Sequence, residues 1–342
     1  MVVGFHAVFL WGTPPPAVRD ESGFLIFQDI SEVMLWLNPF RKGWAGVELF
    51  LVISGFLIHL IYLRSRDNFR FKDFYRRRFW RIYPPYLIVL VALFLIQGNT
   101  TTDLLWHLMM VHNLYDPAHF SINGSFWSIA LEVQLYAIYP LVILASAKMG
   151  MKRTFALALS INILLTILGI FVPSLNDTFW FGTFLFKLWY VWVAGALVAE
   201  MFHDGKPLFK KPLLVAIIAF ILFIISDFNY VSEYITTMLA TLSATALMDF
   251  VLHKKTAPVP KISIWTDRAL SFTGMISYSL YLVHQPVLEY FRKLSPNISF
   301  LILALLISFV LAILCYHVLE KPSIAIGKRL AHPRGLRPGT KA

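Results

Sequence analysis

An apolar run followed at once by a dense basic block constrains this chain more than any other feature. Residues 45–63 read AGVELFLVISGFLIHLIYL, with one carboxylate, Glu48, and one imidazole, His59. As a helix these 19 residues would span roughly 28 Å, about the thickness of a bilayer's hydrocarbon core. The next 18 residues, 64–81, hold eight Lys or Arg. A positive excess that dense beside a spanning helix marks the cytoplasmic side of a membrane.

The rest of the chain has the same character. Only 14% of its residues are charged and 58% are hydrophobic, where a soluble domain carries about 25% charged residues. Further apolar segments fall near 1–11, 79–96, 127–147, 155–172, 181–201, 213–226, 234–252, 270–291 and 299–319, which with 45–63 makes ten. The segment at 213–226 is short and can be extended through Tyr230. The expected fold class is all-α: a polytopic membrane helical bundle of about ten transmembrane helices. Residues 1–322 would form the integral membrane domain and 323–342 a basic cytoplasmic tail. Threading the loops alternately puts 24 of the 30 Lys and Arg on one side. Arg19, Arg41, Lys42, Lys187, Arg292 and Lys293 fall on the other. Both termini are then cytoplasmic, and the net charge of +11 expresses this bias rather than nucleic-acid binding. Cys315 is the single cysteine, so an internal disulfide is excluded.

Ionisable groups inside membrane spans are costly and are functional suspects. Six stand out: His6, Glu48, Glu132, Lys187, His284 and Glu289. The threading puts Glu48 and Glu132 near the outer ends of their helices and His6 in the outer half of the first. A histidine beside a carboxylate makes a general base. The same groups could equally be polar pairs satisfied across the bundle. Arg76, Arg77, Arg78 and Arg81 are open to two readings: charge for anionic lipid, or a phosphate cradle suited to the guanidinium fork. Arg78 and Arg81 share a helix face. In the loop 97–126, His107, His112 and His119 have spacings of five and seven, which do not match a zinc pattern, and no metal is expected.

Several separated stretches resemble the acyltransferase family 3 membrane proteins, which include O-antigen and other polysaccharide O-acetylases. They are GVELFLVISGFLI at 46–58, FYRRRFWRIYPPY at 74–86, FWSIALEVQLYAIYPLV at 126–142, ISYSLYLVHQPVL at 276–288 and LEKP at 319–322. They follow one another in family order over nearly the whole chain. The resemblance implies a bundle in a bacterial inner membrane that takes acetyl or another acyl group from cytoplasmic acyl-CoA. It also implies delivery to a hydroxyl of an extracytoplasmic sugar or glycolipid. His6 falls where the family has its catalytic histidine, and Arg78 and Arg81 fall on its acyl-CoA-linked arginine pair. Glu48 or Glu132 would assist His6. Ser54, Tyr136, Tyr278, Tyr281, His284 and Glu320 lie in the matched stretches as supporting positions. The Ser54–Gly55 pair either lets its helix deform near substrate or serves close packing.

Two departures carry expectations. The family often adds an esterase-like domain after its last helix, so that activity is expected in a separate protein. Residues 1–12 would span only about 18 Å as a helix, and Pro14, Pro15 and Pro16 follow. The natural protein is therefore expected to begin further upstream and to supply there the arginine that the family carries before its histidine. Two other function classes use intramembrane charge. A polyprenyl-linked glycosyltransferase would employ an outer acidic pair such as Asp20 and Glu21, and a transporter of lipid-linked sugar would do no chemistry. Acyl-CoA dependence separates the first reading from both.

Overall fold

A backbone in hydrocarbon must satisfy its own N–H and C=O groups, so long apolar runs fold as helices. The computed structural model of the protein describes residues 2–11, 18–19, 25–26, 39–226, 233–253 and 261–331. Among these, seven helical segments are long and apolar enough to cross a membrane: Lys42–Arg64, Phe71–Gln97, Trp127–Met149, Met151–Phe171, Phe179–His203, Tyr234–His253 and Ile298–Ala331. They correspond to seven of the ten expected apolar segments, and the protein is an all-α, multi-pass membrane protein. The other three segments are helical but different in kind. Val2–Trp11 has 10 residues and Pro212–Ile225 has 14, both short for a span. The segment 270–291 lies within the 34-residue helix Lys261–Leu294, whose serines, tyrosines, His284 and Gln285 dilute its apolar character. Extended backbone among the described residues is a two-residue antiparallel pairing of Val18–Arg19 with Leu25–Ile26. Pro14 to Pro16, Asp20, Glu21, Tyr230 and the tail beyond Ala331 lie outside the described residues.

The chain divides into two units. The first comprises Met1–Arg64, Asn113–His119 and Trp127–Ala257. Its central helix is Leu185–His203, buried continuously from Lys187 to Ala199, as a helix apolar on every face must be. It packs against Gly46–Arg64, Trp127–Met149, Met151–Phe171 and Glu233–His253. Phe56, Leu60 and Leu63 meet Val198 and Ala199 in one apolar cluster. The crossing with Gly46–Arg64 is close because each helix contributes a glycine. A Cβ on Gly55 would lie 2.0 Å from the Trp192 carbonyl oxygen, and one on Gly195 would lie 1.9 Å from that of Val52. Of the two expected roles for Gly55, close packing is the one built here.

The second unit comprises Ser65–His112, Phe120–Phe126 and Pro258–Ala342. The helix Phe71–Gln97 begins eight residues before the expected apolar boundary, so Lys72 and all four clustered arginines ride on its first turns. Hydropathy marks where hydrocarbon starts, whereas the helix continues into the headgroup region. Pro84 lies inside this helix and cannot donate to the Trp80 carbonyl. Ser323 Oγ donates to that carbonyl instead. Lys261–Leu294 has the same problem at Pro286, and there Asn123 Nδ2 donates to the orphaned Leu282 carbonyl at 3.0 Å. The helix Ile298–Cys315 returns along Lys261–Leu294, and Lys321–Ala331 packs on Phe71–Gln97. Gly327 permits that contact, since a Cβ there would come within 2.7 Å of Trp80 Cβ.

Candidate functional site

Glu132 and Tyr136 are one helical turn apart and share a face of Trp127–Met149. The glycine crossing brings Ser54 and Trp192 to that face. Ser54 Oγ donates to Glu132 Oε1 at 3.1 Å and lies 3.1 Å from the Tyr136 hydroxyl. Tyr136 OH also donates to Glu132 Oε1, and Trp192 Nε1 donates to Ser54 Oγ at 3.3 Å. The carboxylate is 6% exposed. It is thereby oriented by two hydroxyl donors in a dry setting, where it can accept a proton or steer a base. Three of the sequence-predicted residues, Ser54, Glu132 and Tyr136, thus meet in one cluster, and Trp192 joins them.

The same unit holds His6 and Glu48. His6 is half-buried on the helix Val2–Trp11, which packs against the 3₁₀ segment Pro39–Ala45. That segment runs straight into Gly46–Arg64, where Glu48 is buried in the first turn. Lys187 is a packing element: its ammonium sits 4.1 Å from the Phe181 ring centroid and 4.0 Å from that of Tyr234. A second buried polar group was not legible in the sequence as a site. His59 is fully buried, with Nδ1 3.1 Å from Tyr139 OH and Nε2 3.1 Å from Glu200 Oε1. His59 and its partners lie 80 and 141 residues apart, so no local spacing reveals the set.

In the second unit the four arginines divide. Arg76 Nη1 donates to the Leu330 carbonyl at 3.2 Å, which satisfies the end of the last helix. Arg78 is half-buried, 5.9 Å over the Phe74 ring, and Arg81 is exposed. Glu320 closes a π-helical turn, Tyr316–Glu320, and is 2% exposed. Its Oε2 accepts from Ser279 Oγ at 2.7 Å, and it lies within electrostatic reach of Arg81. Tyr278 OH donates to the Ile82 carbonyl at 2.7 Å, tying the 276–288 stretch to the arginine helix. His284 Nδ1 lies 3.0 Å from the Leu280 and Tyr281 carbonyls of its own helix. Tyr281 is half-buried one turn before it, with ring centroids 5.5 Å apart. The predicted site residues therefore fall into two groups. His6, Glu48, Ser54, Glu132 and Tyr136 belong to the first unit, and Arg78, Arg81, Tyr278, Tyr281, His284 and Glu320 to the second.

The loop histidines do other work. A capping box between Thr100 and Asp103 starts the short helix Thr101–Leu108, which ends on His107 and Leu108. His107 and His112 stack with centroids 3.8 Å apart and planes 6° from parallel, both fully buried. Burial holds the His107 pKa below its ordinary value of 6.5 despite the opposing Asp103 carbonyl. The unfolded chain therefore binds a proton at His107 before the folded chain does. Stability is full above the ordinary histidine pKa and declines as the pH falls through it. Thermal midpoints measured across this range should drop on acidification, and His107→Phe should flatten the dependence. Among the described residues, no group of three His, Cys, Asp or Glu side chains is arranged to hold a metal ion.

Comparison with known proteins gives a family assignment. Residues 1–318 match a family described as "Acyltransferase domain". The peptidoglycan O-acetyltransferase OatA of Listeria monocytogenes is 26% identical over 325 residues, covering 82% of this chain and 51% of that protein. YrhL of Bacillus subtilis, which carries a peptidoglycan O-acetyltransferase name, is 27% identical over 84% of this chain and 51% of its own. A protein of Acidianus two-tailed virus with an acetyltransferase name is 25% identical over 79% of this chain and 82% of its own. The chain thus spans about half the length of the two bacterial relatives. No solved structure matches.

Proposed function

Since the chain belongs to the acyltransferase domain family, we propose that it is a membrane O-acetyltransferase drawing on cytoplasmic acetyl-CoA. The acceptor is a hydroxyl of a carbohydrate or glycolipid on the far side of the membrane, with a cell-wall glycan favoured by the names of the relatives. The observation that carries this reading is the buried Glu132 carboxylate, oriented by Ser54 and Tyr136 within a membrane span. A carboxylate is costly in such a place and suits proton transfer. His6 takes the acceptor's proton as its oxygen attacks the thioester carbonyl, or is itself acylated first. Glu132 or Glu48 orients His6 and stabilises its charged form. The new ester bond forms as the carbon–sulfur bond breaks, and coenzyme A leaves as the thiol. Arg78 and Arg81 bind the coenzyme's phosphates through paired N–H donors on one helix face. Both termini are cytoplasmic in this reading, and the membrane is a bacterial inner membrane.

The test uses the full chain in proteoliposomes with labelled acetyl-CoA and soluble peptidoglycan glycan fragments. Alkali-labile label on the glycan is the expected result. Arg78→Lys and Arg81→Lys keep the charge but lose the two-pronged donor. Each should raise the KM for acetyl-CoA about tenfold, or about 1.4 kcal/mol, with little change in kcat. An unchanged KM in both would return the pair to a lipid-facing role, and no label with any acyl-CoA would refute the enzyme reading itself.

A further inference from the structure

The helix Lys261–Leu294 is packed along only part of its length. From Thr266 to Met275 every residue is exposed, and burial begins at Ile276. A cavity of about 330 Å³ opens on this stretch, lined by Asp267, Arg268, Ser271, Phe272 and Met275. That size falls at the lower end of the roughly 300–1,000 Å³ typical of small-molecule sites. A Cβ on Gly274 would meet nothing within 4 Å, so open space continues along the helix.

Contacts within the second unit fix where this cavity lies relative to the arginines. Tyr278 OH donates to the Ile82 carbonyl, which brings Lys261–Leu294 and Phe71–Gln97 level at that point. Four residues further along each helix, one short loop touches both. Asn123 donates to the Leu282 carbonyl at 3.0 Å, and the Phe126 ring centroid lies 4.7 Å from that of Tyr86. The two helices therefore run in the same direction, and the residues before Tyr278 and Ile82 lie toward one end. On one helix these are Arg81 and Arg78, and on the other Met275, Ser271 and Arg268. Ser271 and Asp267 are about two and three turns before Tyr278 and share its face. Ser279 Oγ donates to Glu320, which lies within electrostatic reach of Arg81, so Arg81 is level with the start of the buried stretch. Arg268 is eleven residues before Ser279, about 16 Å along the axis. In the threading by loop charge, this is the cytoplasmic end.

Resting on the acyl-CoA reading above, we propose that this cavity holds the nucleotide end of coenzyme A, with Arg268 on the ribose 3′-phosphate and Phe272 against the adenine. Arg78 and Arg81 then hold the diphosphate, the coenzyme's other anionic group, from the facing helix. A guanidinium suits each, since its planar fork matches phosphate oxygens. The Phe309 ring supports Phe272 at 6.4 Å between centroids, and Phe272 remains 36% exposed, which leaves ring surface for stacking a base. Met275, 47% exposed, adds an adaptable apolar wall. The Ser271 hydroxyl can donate to a phosphate oxygen, and Asp267 can accept from the adenine amino group. The pantetheine arm separates the nucleotide from the sulfur, so this site makes no demand on where the ester forms. These residues bind, and no bond or proton moves among them.

Equilibrium binding of labelled acetyl-CoA to the full chain in phosphatidylcholine nanodiscs tests the site, with both membrane faces accessible. A second probe, 3′-dephospho-acetyl-CoA, lacks only the phosphate assigned to Arg268. Wild type should bind it about tenfold more weakly than acetyl-CoA, the scale of one lost hydrogen bond to a charged group. Arg268→Ala should weaken acetyl-CoA binding about tenfold and leave the dephospho compound unaffected. Phe272→Ala should weaken both probes about tenfold, toward the low end for a lost base stack. Arg268 is exposed, so its variant should keep the wild-type thermal midpoint. If Phe272→Ala does not fold, the two probes on Arg268→Ala decide the matter. Unchanged acetyl-CoA affinity in Arg268→Ala overturns the proposal, and equal weakening of both probes does so too. A lipid headgroup offers the same phosphate chemistry. Phosphatidylglycerol in the nanodiscs would then stabilise wild type but not Arg268→Ala, with equal acetyl-CoA affinities, and that result also overturns the proposal. Wild type that binds acetyl-CoA beside unaffected variants refutes this site alone. Wild type that binds neither probe refutes the acyl-CoA reading and the site together.

Discussion

Gly195→Ala is expected to cut sharply the amount of folded protein recovered from the membrane, although it adds a single methyl group. That methyl would sit 1.9 Å from the Val52 carbonyl oxygen and 2.8 Å from the Phe56 nitrogen, both backbone atoms. A side chain can rotate away from a clash, but a facing helix can only shift as a body. The shift would part Gly46–Arg64 from Leu185–His203, open the Phe56, Leu60 and Val198 cluster and stretch the Trp192 to Ser54 hydrogen bond. Overpacking typically costs about 1–3 kcal/mol and at times more, against a total stability of about 5–15 kcal/mol. Gly55→Ala meets the Trp192 carbonyl at 2.0 Å and should behave alike. Gly274→Ala is the control. A Cβ there meets nothing within 4 Å, and alanine gains about 1 kcal/mol of helix propensity. Yield and thermal midpoint after purification in detergent should separate the first two variants from the third. Equal yields would show that the crossing is looser than its glycines require.

The helices were legible because hydrophobic runs near bilayer length leave little alternative, and the basic block at 64–81 marked the start of the most heavily charged one. The short segments resisted the same reading. Pro212–Ile225 has the composition of a span but 14 residues, and Lys261–Leu294 has the length but not the apolarity. The motif residues proved partly legible. Glu132, Tyr136 and Ser54 were singled out and do meet, because two of them share a helix face and the third sits beside a glycine. Trp192 was not, since a tryptophan in an apolar run carries no polar signal until its indole N–H finds Ser54. Proline partners were hidden for a related reason. Pro84 and Pro286 announce an orphaned carbonyl, but only the folded chain reveals that Ser323 and Asn123 supply the missing donors. By charge alone Arg76, Arg78 and Arg81 are open to the same two readings, and only the docking of Lys321–Ala331 shows that Arg76 is taken up in capping that helix, while Arg78 is half-buried over Phe74 and Arg81 is exposed.

His6→Ala and His6→Gln should abolish acetyl transfer while leaving membrane insertion and yield intact. The expected loss is about 100- to 10,000-fold in kcat, the usual worth of a general base. His6 occupies a ten-residue helix of the first unit, packed on the 3₁₀ segment that leads into the Glu48 helix. It is half-buried, so the substitution removes no large part of the core. A fold effect and a chemical effect are therefore separable, unlike at Gly195. Gln retains hydrogen-bonding capacity near that of the ring but cannot carry a proton at neutral pH, so it distinguishes a base from a polar spacer. If His6 is the acyl carrier instead, both variants again lose turnover, and label from acetyl-CoA no longer remains on the protein when acceptor is withheld. Glu132→Gln keeps the hydrogen-bond acceptor for Ser54 and Tyr136 while removing the charge. Where Glu132 orients His6, its loss should be partial, and it should add little once His6 is already alanine, since residues acting as a unit are not additive. Full turnover in His6→Gln would remove His6 from the chemistry and leave the buried Glu132 cluster as the place to look for the base.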